Sequence, residues 1–265
     1  PWDWHKPLFE HAREIDITIF SSPFDESAVD LLEDLNVPAY KIASFETVDL
    51  RLIDYVARTG KPMIISTGMA SEDEIREAVD TARAGGCSEL ALLTCVSSYP
   101  AMPSDYNLSR IVDMRERFQT VVGLSDHTLD NTCAIASITL GGCIIEKHFT
   151  LDRKGGGADD SFSLEPNDMK NLCESSLAAW QSIGSPEYGT KSTEKNNAQY
   201  RRSLYFVKSL KKGDVIKIDD IRSVRPGFGL PTKMFDSVVG SEVNCNVSYG
   251  DPVKLADIIM KSDID

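Results

Sequence analysis

The sequence predicts an α/β fold with parallel strands, followed by a small β-rich domain. Three observations support this prediction. Short apolar runs alternate with helical segments about six times, at intervals of roughly twenty to thirty residues. The apolar runs are continuous, as in parallel strands that are buried on both faces of a sheet. Polar residues recur just after these runs, where a TIM barrel carries its active site.

Two architectures fit this pattern. A TIM (β/α)8 barrel needs eight such units, so the chain is either an open doubly wound sheet or a TIM barrel that lacks its first units. The chain begins at Pro1 rather than at a methionine and enters directly into a polar and aromatic segment, PWDWHKPLFEHA. We expect an upstream portion to be missing, and this favours the incomplete barrel.

Local signals place the individual elements. The β-branched residues 17–20 predict a first strand that follows Asp16. Gly60 is a C-cap signal for the helix before it, and Ser71 with Glu74 forms a capping box for the next helix. The predicted helices cover residues 6–13, 26–35, 50–59, 71–84, 107–117 and 166–183. The predicted strands cover residues 17–20, 39–43, 62–65, 90–93, 121–124 and 143–145.

The pattern changes after His148. Residues 151–163, LDRKGGGADDSFS, form a glycine-rich loop that is too long for a tight turn, and we interpret it as a substrate lid. Residues 1–185 are the predicted barrel domain, and the polar, turn-rich residues 186–200 are a predicted linker. Residues 201–265 form the small β-rich domain, with β-like runs at 203–207, 215–216 and 253–255.

The composition disfavours several classes of function. Lys and Arg total 28 against 41 Asp and Glu, and this formal charge of -13 disfavours nonspecific nucleic-acid binding, because most of the surface would repel a phosphate backbone. No apolar run is long enough to predict a membrane span. The six cysteines show no paired framework, so we expect a reducing, cytoplasmic location. P-loop, GxGxxG and GxSxG motifs are absent from the sequence, which disfavours nucleotide-dependent and serine-hydrolase functions.

Two histidines stand at the ends of neighbouring predicted strands. His127 closes the segment GLSDHT and His148 lies in GGCIIEKHFT, each near a carboxylate. Imidazole suits a divalent transition metal, and nearby acids can orient the rings. The alternative is two ordinary histidines with no shared ligand, and the spacing alone does not exclude it.

A group of hydroxyls and one lysine predicts an anion site. Lys41 interrupts an otherwise apolar strand, and a charge buried there is costly without a partner. Any one serine after a strand is more often a turn or N-cap residue. Several at successive strand ends, beside a lysine, can together bind a phosphate. The predicted set is Ser22, Lys41, Ser44, Ser66, Ser97 and Ser125. Glu46 either orients Lys41 or a substrate hydroxyl, or is a solvated loop acid.

Several motifs, in a single order along nearly the whole chain, resemble the sialic acid synthase family of bacterial nonulosonate synthases. These motifs are YKIASFE, ISTGMA, GLSDHT, EKHFT and RPGFG. The segments SSPFD, VPAYKIASFE and GGGADDSFSLEP are most similar to the pseudaminic acid synthase branch of that family. The resemblance implies a TIM barrel followed by a small antifreeze-like (SAF) domain, in a domain-swapped homodimer.

The resemblance also implies a reaction. Phosphoenolpyruvate would condense with an open-chain acetamido sugar, here 2,4-diacetamido-2,4,6-trideoxy-L-altrose, with Mn²⁺ or Mg²⁺ as cofactor. C3 of phosphoenolpyruvate would attack the metal-polarised aldehyde, water would add at C2, and phosphate would leave by C–O cleavage. Glu46 would handle a proton or orient a reacting group.

Individual positions carry over from the family's motifs. His127 and His148 match the metal ligands, and the lysine and serines named above match the phosphoenolpyruvate-binding positions. Tyr99, Asp159 and Arg225 match sugar-contacting positions, with Arg225 reaching into the partner's barrel. Ser97 departs from the asparagine common in sialic acid synthases, so the contact there must differ. The family's first two barrel strands, with an acid and a phosphate-binding lysine, have no counterpart in this sequence.

Alternatives remain at this point. The sugar could instead be that of N-acetylneuraminate, legionaminate or spore-coat synthesis, whereas the terminal β-rich domain disfavours a 3-deoxy-octulosonate phosphate synthase. A noncatalytic carbohydrate-binding relative is the alternative from another class. Because strands of the barrel are expected to be missing, we expect these 265 residues to be inactive alone and the full-length protein to be active.

Overall fold

The computed structural model describes residues 1–261, and the chain divides into two compact units, Pro1–Ser185 and Pro186–Asp265. The last four residues of the predicted β-rich domain, 262–265, lie outside the described residues. Each unit is described by itself below.

The first unit is built on one parallel sheet of five strands. These strands are β1 (Tyr40–Ile42), β2 (Met63–Ser66), β3 (Leu90–Cys95), β4 (Val121–Asp126) and β5 (Ile144–Lys147). Their order in the sheet equals their order in the chain, and every pair is parallel. A doubly wound sheet reverses its strand order at a switch point, so the unreversed order of this curled half-barrel identifies the TIM-type architecture. The predicted fold class is confirmed.

Helices alternate with these strands. They are α1 (His5–Glu14), α2 (Glu26–Asp34), α3 (Leu50–Ala57), α4 (Glu72–Ala84), α5 (Arg110–Phe118), α6 (Thr132–Thr139) and α7 (Pro166–Ile183). Helix α4 begins with the predicted capping box, in which Ser71 and Glu74 satisfy each other's backbone N–H groups. Gly60 follows α3 with a φ of 71°, the left-handed conformation expected of a residue that ends a helix.

The strand predicted over residues 17–20 is wrong as a regular element. These residues make no ladder, and the segment joins the sheet only through one parallel bridge between Ser21 and Tyr40. The amide of Lys41 donates to the Ser21 carbonyl at 3.2 Å. Because β1 is only three residues long, it offers few backbone groups to a neighbour on this side.

The side chains of β1 point alternately to the apolar core and to the inner face of the sheet. Tyr40 and Ile42 are fully buried and pack into the main apolar cluster with residues of α2, α3 and α4. Side chains of successive strand residues point to opposite faces, so Lys41, between them, points to the inner face of the curled sheet. The same alternation brings polar residues of the other strands to that face.

Gly123 in β4 is required by a close backbone approach. A methyl group there would overlap the carbonyl oxygen of Ile144 in β5 and would lie 2.7 Å from a methyl of Leu93. We expect Gly123→Ala to lower the free energy of unfolding by about 3 kcal/mol, since the sheet must separate to admit the side chain. Urea denaturation measures this. Val121→Ala is the control, because Val121 lies on the same strand and is 49% exposed; equal losses in the two variants would contradict the prediction.

The second unit is β-rich. Strands β6 (Ser203–Phe206) and β7 (Ile221–Val224) pair antiparallel, as do β8 (Glu242–Val243) and β9 (Ile258–Ile259). A short helix α8 (Phe235–Val238) lies between β7 and β8 in the chain. The core of this unit is an apolar cluster that includes Leu204, Phe206 and Val253.

The structure adds detail to the predicted linker and corrects one predicted β-like run. Residues Ser192–Tyr200, inside the predicted linker, form a 3-10 helix in which every residue is exposed. The β-like run 253–255 is not a strand, because a 3-10 helix begins at Leu255.

None of the helices described in residues 1–261 combines the length and hydropathy of a membrane span.

Candidate active site

A cavity of about 260 Å³ opens at the carboxyl ends of the five strands. Eight of the residues predicted from the sequence line it: Ser22, Lys41, Ser44, Ser66, Tyr99, Ser125, His127 and His148. Ala43, Phe45, Cys95 and Glu146 complete the lining. The cavity therefore gathers side chains from every strand of the sheet.

Lys41 is the buried cation of this cavity. It is 7% exposed, its ammonium donates to the Ile42 carbonyl at 2.9 Å, and it lies 3.7 Å from Glu146 Oε2. Burial lowers the pKa of Lys41, and the Glu146 carboxylate opposes that shift. One carboxylate at 3.7 Å leaves the ammonium able to donate to a second anion.

The hydroxyls around Lys41 form two groups. Ser125 donates to Glu146 Oε1 at 2.9 Å, which ties β4 to β5. Ser44 and Ser97 share a hydrogen bond of 2.9 Å between their hydroxyl oxygens. Ser66 is 2% exposed, and its Oγ has no hydrogen-bond partner among the described residues. A buried hydroxyl without a partner is costly, and a ligand oxygen in the cavity would satisfy it.

Gly68 allows the loop after β2 to reach this hydroxyl pair. Its φ is 48°, and an added methyl group would lie 2.6 Å from Ser44 Cβ and 2.9 Å from Ser97 Oγ. Only glycine accommodates both the left-handed backbone and the close contact. The segment ISTGMA is therefore packed directly against two of the predicted anion-binding residues.

His127 is held in one tautomer. Its Nδ1 lies 2.7 Å from the Val96 carbonyl, which can only accept, so Nδ1 carries the proton. Burial lowers the pKa of His127 and favours the neutral ring. The other nitrogen, Nε2, faces Ser125 at 3.5 Å, and the His127 amide donates to the Tyr106 hydroxyl. The neutral ring therefore presents an unprotonated Nε2.

His148 completes a cluster of four rings. The His127 and His148 ring centroids are 5.2 Å apart, and Tyr99 lies 4.3 Å from His127 and 5.7 Å from His148. The Phe162 ring packs against both Tyr99 and His148, at 5.3 and 5.1 Å. His148 Nδ1 lies 3.4 Å from Asp159 Oδ2. These contacts give His148 an orienting carboxylate and one aromatic wall.

A buried ion pair braces the loop that carries His127. Lys147 in β5 donates to Asp126 Oδ2 at 3.1 Å, and the two side chains are 2% and 0% exposed. The same ammonium donates to the carbonyls of Thr128 and Asp130 at 2.7 and 2.9 Å. Lys147 is thus fully engaged in structure, whereas Lys41 is the cation that faces the cavity.

The two imidazoles fit a divalent metal that binds with open coordination positions. The carbonyl that fixes Nδ1 of His127 and the carboxylate beside His148 are partners typical of metal-bound histidines. Among residues 1–261 there is no cluster of three or more His, Cys, Asp or Glu side chains arranged to hold an ion. Two nitrogen ligands would therefore leave the remaining positions to water and substrate.

The other predicted residues lie apart from the lining. Ser97 reaches the cavity through Ser44, and Asp159 through His148. Glu46 begins a 3-10 helix after β1, and its Oε2 is buried without a hydrogen-bond partner in the described part of the chain. The ion-pair partner of Lys41 is Glu146 rather than Glu46. Arg225 belongs to the second unit, directly after β7.

The lining or supporting residues that the predicted set omits include Cys95, Glu146 and Phe162. The strand register explains the first two. Cys95, Ser125 and Glu146 lie on one row across β3, β4 and β5, so their side chains face the same side. Burial raises the pKa of the Cys95 thiol, which keeps it protonated. No local signal in the sequence marks Phe162, which reaches the site through a loop.

The cavity combines a buried cation, several hydroxyls and two neighbouring imidazoles at the carboxyl ends of the strands, the position of the active site in a TIM-type enzyme. The NeuB family model matches residues 1–188, and the SAF domain model matches residues 201–259. The chain belongs to the NeuB family and carries a SAF domain.

Individual relatives agree with this assignment. The chain is 40% identical to the pseudaminic acid synthase of Helicobacter pylori over 260 residues, which are 97% of this chain and 76% of that protein. It is 36% identical to the N,N'-diacetyllegionaminic acid synthase of Campylobacter jejuni, over 89% of this chain and 72% of that protein. The crystal structure of the spore coat polysaccharide biosynthesis protein spsE of Bacillus subtilis is similar, with a TM-score of 0.66 at 33% identity, over 98% of this chain and 78% of that one.

Proposed function

We propose that this protein is a phosphoenolpyruvate-dependent nonulosonate synthase that makes pseudaminic acid. It would condense phosphoenolpyruvate with 2,4-diacetamido-2,4,6-trideoxy-L-altrose and release phosphate. One observation supports this best: the buried Lys41 and Ser66 share one cavity with two imidazoles, and the Ser66 hydroxyl has no hydrogen-bond partner among residues 1–261. The 40% identity to a pseudaminic acid synthase favours this particular sugar acid.

The anion side of the cavity would bind phosphoenolpyruvate. The Lys41 ammonium would donate to the phosphate or carboxylate, and Ser66, Ser44 and Ser22 would add hydroxyl donors. Holding two reactants in one orientation removes much of the entropic barrier to their reaction. We propose that Ser125 and Glu146 keep the ammonium in place during this step, because they link it to β4 and β5.

The imidazole side would bind the sugar. His127 and His148 would hold Mn²⁺ or Mg²⁺, which supplies Lewis-acid polarisation of the sugar aldehyde when bound. Tyr99 and Asp159 lie beside these rings and would contact the sugar. We propose that Glu46 handles a proton near Lys41, a role that its buried and unpartnered Oε2 supports.

Further parts of the proposal concern the assembled protein. We propose a domain-swapped homodimer in which Arg225 contacts sugar in the partner's barrel, as the family resemblance implies. We also propose a cytoplasmic location, which the six unpaired cysteines support. Light scattering of the natural, full-length protein tests the dimer.

A second sugar is a real competitor. The legionaminic acid synthase of Campylobacter jejuni is 36% identical to this chain, only slightly below the pseudaminic acid synthase of Helicobacter pylori. The two proposed functions, pseudaminic acid and legionaminic acid synthesis, would use the same cavity and differ only in the sugar. A noncatalytic binder of carbohydrate is disfavoured, because it needs neither the buried Lys41 nor the neutral His127.

Phosphate release tests the proposal. The natural, full-length protein is given phosphoenolpyruvate, Mn²⁺ and, in separate reactions, the diacetamido altrose, its legionaminate-type isomer and N-acetylmannosamine. We expect metal-dependent release with the altrose, because the chain is 40% identical to the pseudaminic acid synthase of Helicobacter pylori. Release with another sugar alone would replace the substrate and keep the reaction. No release with any sugar, from a folded protein that binds Mn²⁺, would favour the noncatalytic reading.

A further inference from the structure

The glycine-rich loop at residues 151–163 is folded around one carboxylate. Asp160 Oδ2 accepts the Gly157 amide at 2.7 Å, and Asp160 Oδ1 accepts the Thr150 hydroxyl at 2.7 Å. Through Asp160, these two bonds connect Thr150, just before the loop, with Gly157 in the middle of the loop. The hydrogen bonds of Thr150 and Gly157 lower the pKa of Asp160, so the carboxylate is ionised where it makes them.

The glycines of this loop lie directly against that carboxylate. A methyl group on Gly155 would lie 2.7 Å from Asp160 Oδ2, and one on Gly157 would lie 2.9 Å from the same oxygen. No larger residue fits at either position without moving Asp160. Gly155 and Gly157 therefore have a packing reason, whereas Gly156 is favoured by its positive φ of 85°.

A second set of bonds ties the same loop to helix α7. Arg153 Nε donates to the Ser163 carbonyl at 2.7 Å, and its guanidinium contacts Asp168 Oδ2 at 2.8 Å. The Arg153 amide donates to Glu165 Oε1 at 2.9 Å. The loop is thus fixed at its start, its middle and its end, which is not the arrangement of a segment awaiting a ligand to order it.

The folded loop delivers two residues to the site. Asp159, next to Asp160, lies 3.4 Å from His148 Nδ1, and Phe162 packs against His148 and Tyr99. The Ser163 hydroxyl donates to the Asp159 carbonyl at 2.7 Å, which holds the intervening turn. The position of the sugar-side wall therefore depends on the shape of the loop.

We infer that Asp160 is a positioning residue: it folds the 151–163 loop before substrate binds and so sets Asp159 and Phe162 against His148. Asp160 itself does not contact substrate. The loop is a preformed wall of the sugar subsite, in place of the lid that the sequence predicted. The sugar part of this inference rests on the proposed function, whereas the folding of the loop does not.

Tryptic cleavage tests the folding of the loop without any substrate. The bond after Lys154 is cut only when the loop opens, because its neighbours are held by Asp160 and Arg153. In the full-length protein, we expect Asp160→Ala to speed cleavage there about tenfold and Thr150→Val to have an intermediate effect. Asp152→Asn is the control and should be cut at the wild-type rate, because it changes a charge in the same loop while asparagine keeps the oxygen that accepts the Lys154 amide at 2.8 Å. Cleavage of Asp160→Ala at the wild-type rate overturns the inference.

Steady-state kinetics test the consequence for the site. We expect Asp160→Ala to raise KM for the sugar about tenfold and to leave KM for phosphoenolpyruvate within about twofold. A general loss of structure would raise both. Asp160→Asn, which keeps the size and one acceptor, should recover part of the sugar KM and of the resistance to trypsin. Equal changes in both KM values, with wild-type cleavage, contradict the inference. If the wild type turns over no sugar, the proposed function fails and the cleavage rates alone decide on Asp160.

Discussion

Replacing Lys41 by methionine is expected to lower kcat/KM for phosphoenolpyruvate by about a thousandfold, because a preorganised charge in a dry site stabilises an anionic reactant strongly. Methionine keeps the length of the side chain and its packing beside Ile42 and Ala43. The fold should persist, with unfolding free energy within about 1 kcal/mol of wild type. Glu146 is 41% exposed and can be hydrated once its partner is gone. Initial rates of phosphate release at varied phosphoenolpyruvate measure the effect.

The control for Lys41 is another paired lysine of the same unit. Lys61 is 21% exposed and lies 2.6 Å from Glu33, away from the cavity. Lys61→Met should change kcat/KM by less than about twofold, since the pair is outside the site. If the two variants lose activity equally, Lys41 acts through stability and not through the anion. If Lys41→Met keeps full activity, the anion site is placed wrongly.

Replacing His127 by glutamine is expected to weaken Mn²⁺ binding by about a hundredfold or more, because it removes one of two oriented imidazoles. Phosphate release should fall by a comparable or larger factor, about a thousandfold. Glutamine retains a polar side chain of similar length, so the loop after β4 remains packed. Electron paramagnetic resonance of free Mn²⁺ measures binding without any turnover.

The chain contains four histidines, and one of the two outside the cavity provides the control. His11 in α1 is exposed and interacts with Glu14, three residues along the helix. His11→Gln should bind Mn²⁺ as the wild type does. Equal binding by His127→Gln and the wild type would show that the ion binds elsewhere, and the metal assignment would then be wrong.

The fold could be predicted from the sequence because the signals for it are local and repeated. The continuous apolar strands and the helices between them are correct, and the capping box at Ser71 lies where the sequence places it. The strand at 17–20 could not be judged locally. Its mostly β-branched residues fit a strand, but a ladder also needs a neighbour to pair with, and the short β1 pairs with this segment only at Tyr40 and Ser21.

The candidate site was predictable where a polar residue lies within a strand or directly after it. Lys41 lies within β1, Ser125 lies near the end of β4 and His127 follows β4, and the structure brings all three to one cavity. Glu146 precedes the end of β5 and becomes significant only through its register with Ser125. Phe162 and Asp160 depend on how a long loop folds back, which no short-range pattern encodes. Gly155 and Gly157 illustrate the same limit, because the sequence does not show that they pack closely against Asp160.

The hydrogen bond between Ser44 and Ser97 can run in either direction. Either oxygen can be the donor, so rotation of two hydroxyls reverses the direction of the bond without moving a heavy atom. An amide at position 97 would instead present a fixed donor end and a fixed acceptor end. If phosphate binds beside Ser44 as proposed, the pair can donate a hydrogen bond to the dianion and accept one from the same group once it is protonated. If the charge of the bound ligand changes during a reaction, the two hydroxyls can adjust to it by rotation alone, and the surrounding protein need not move.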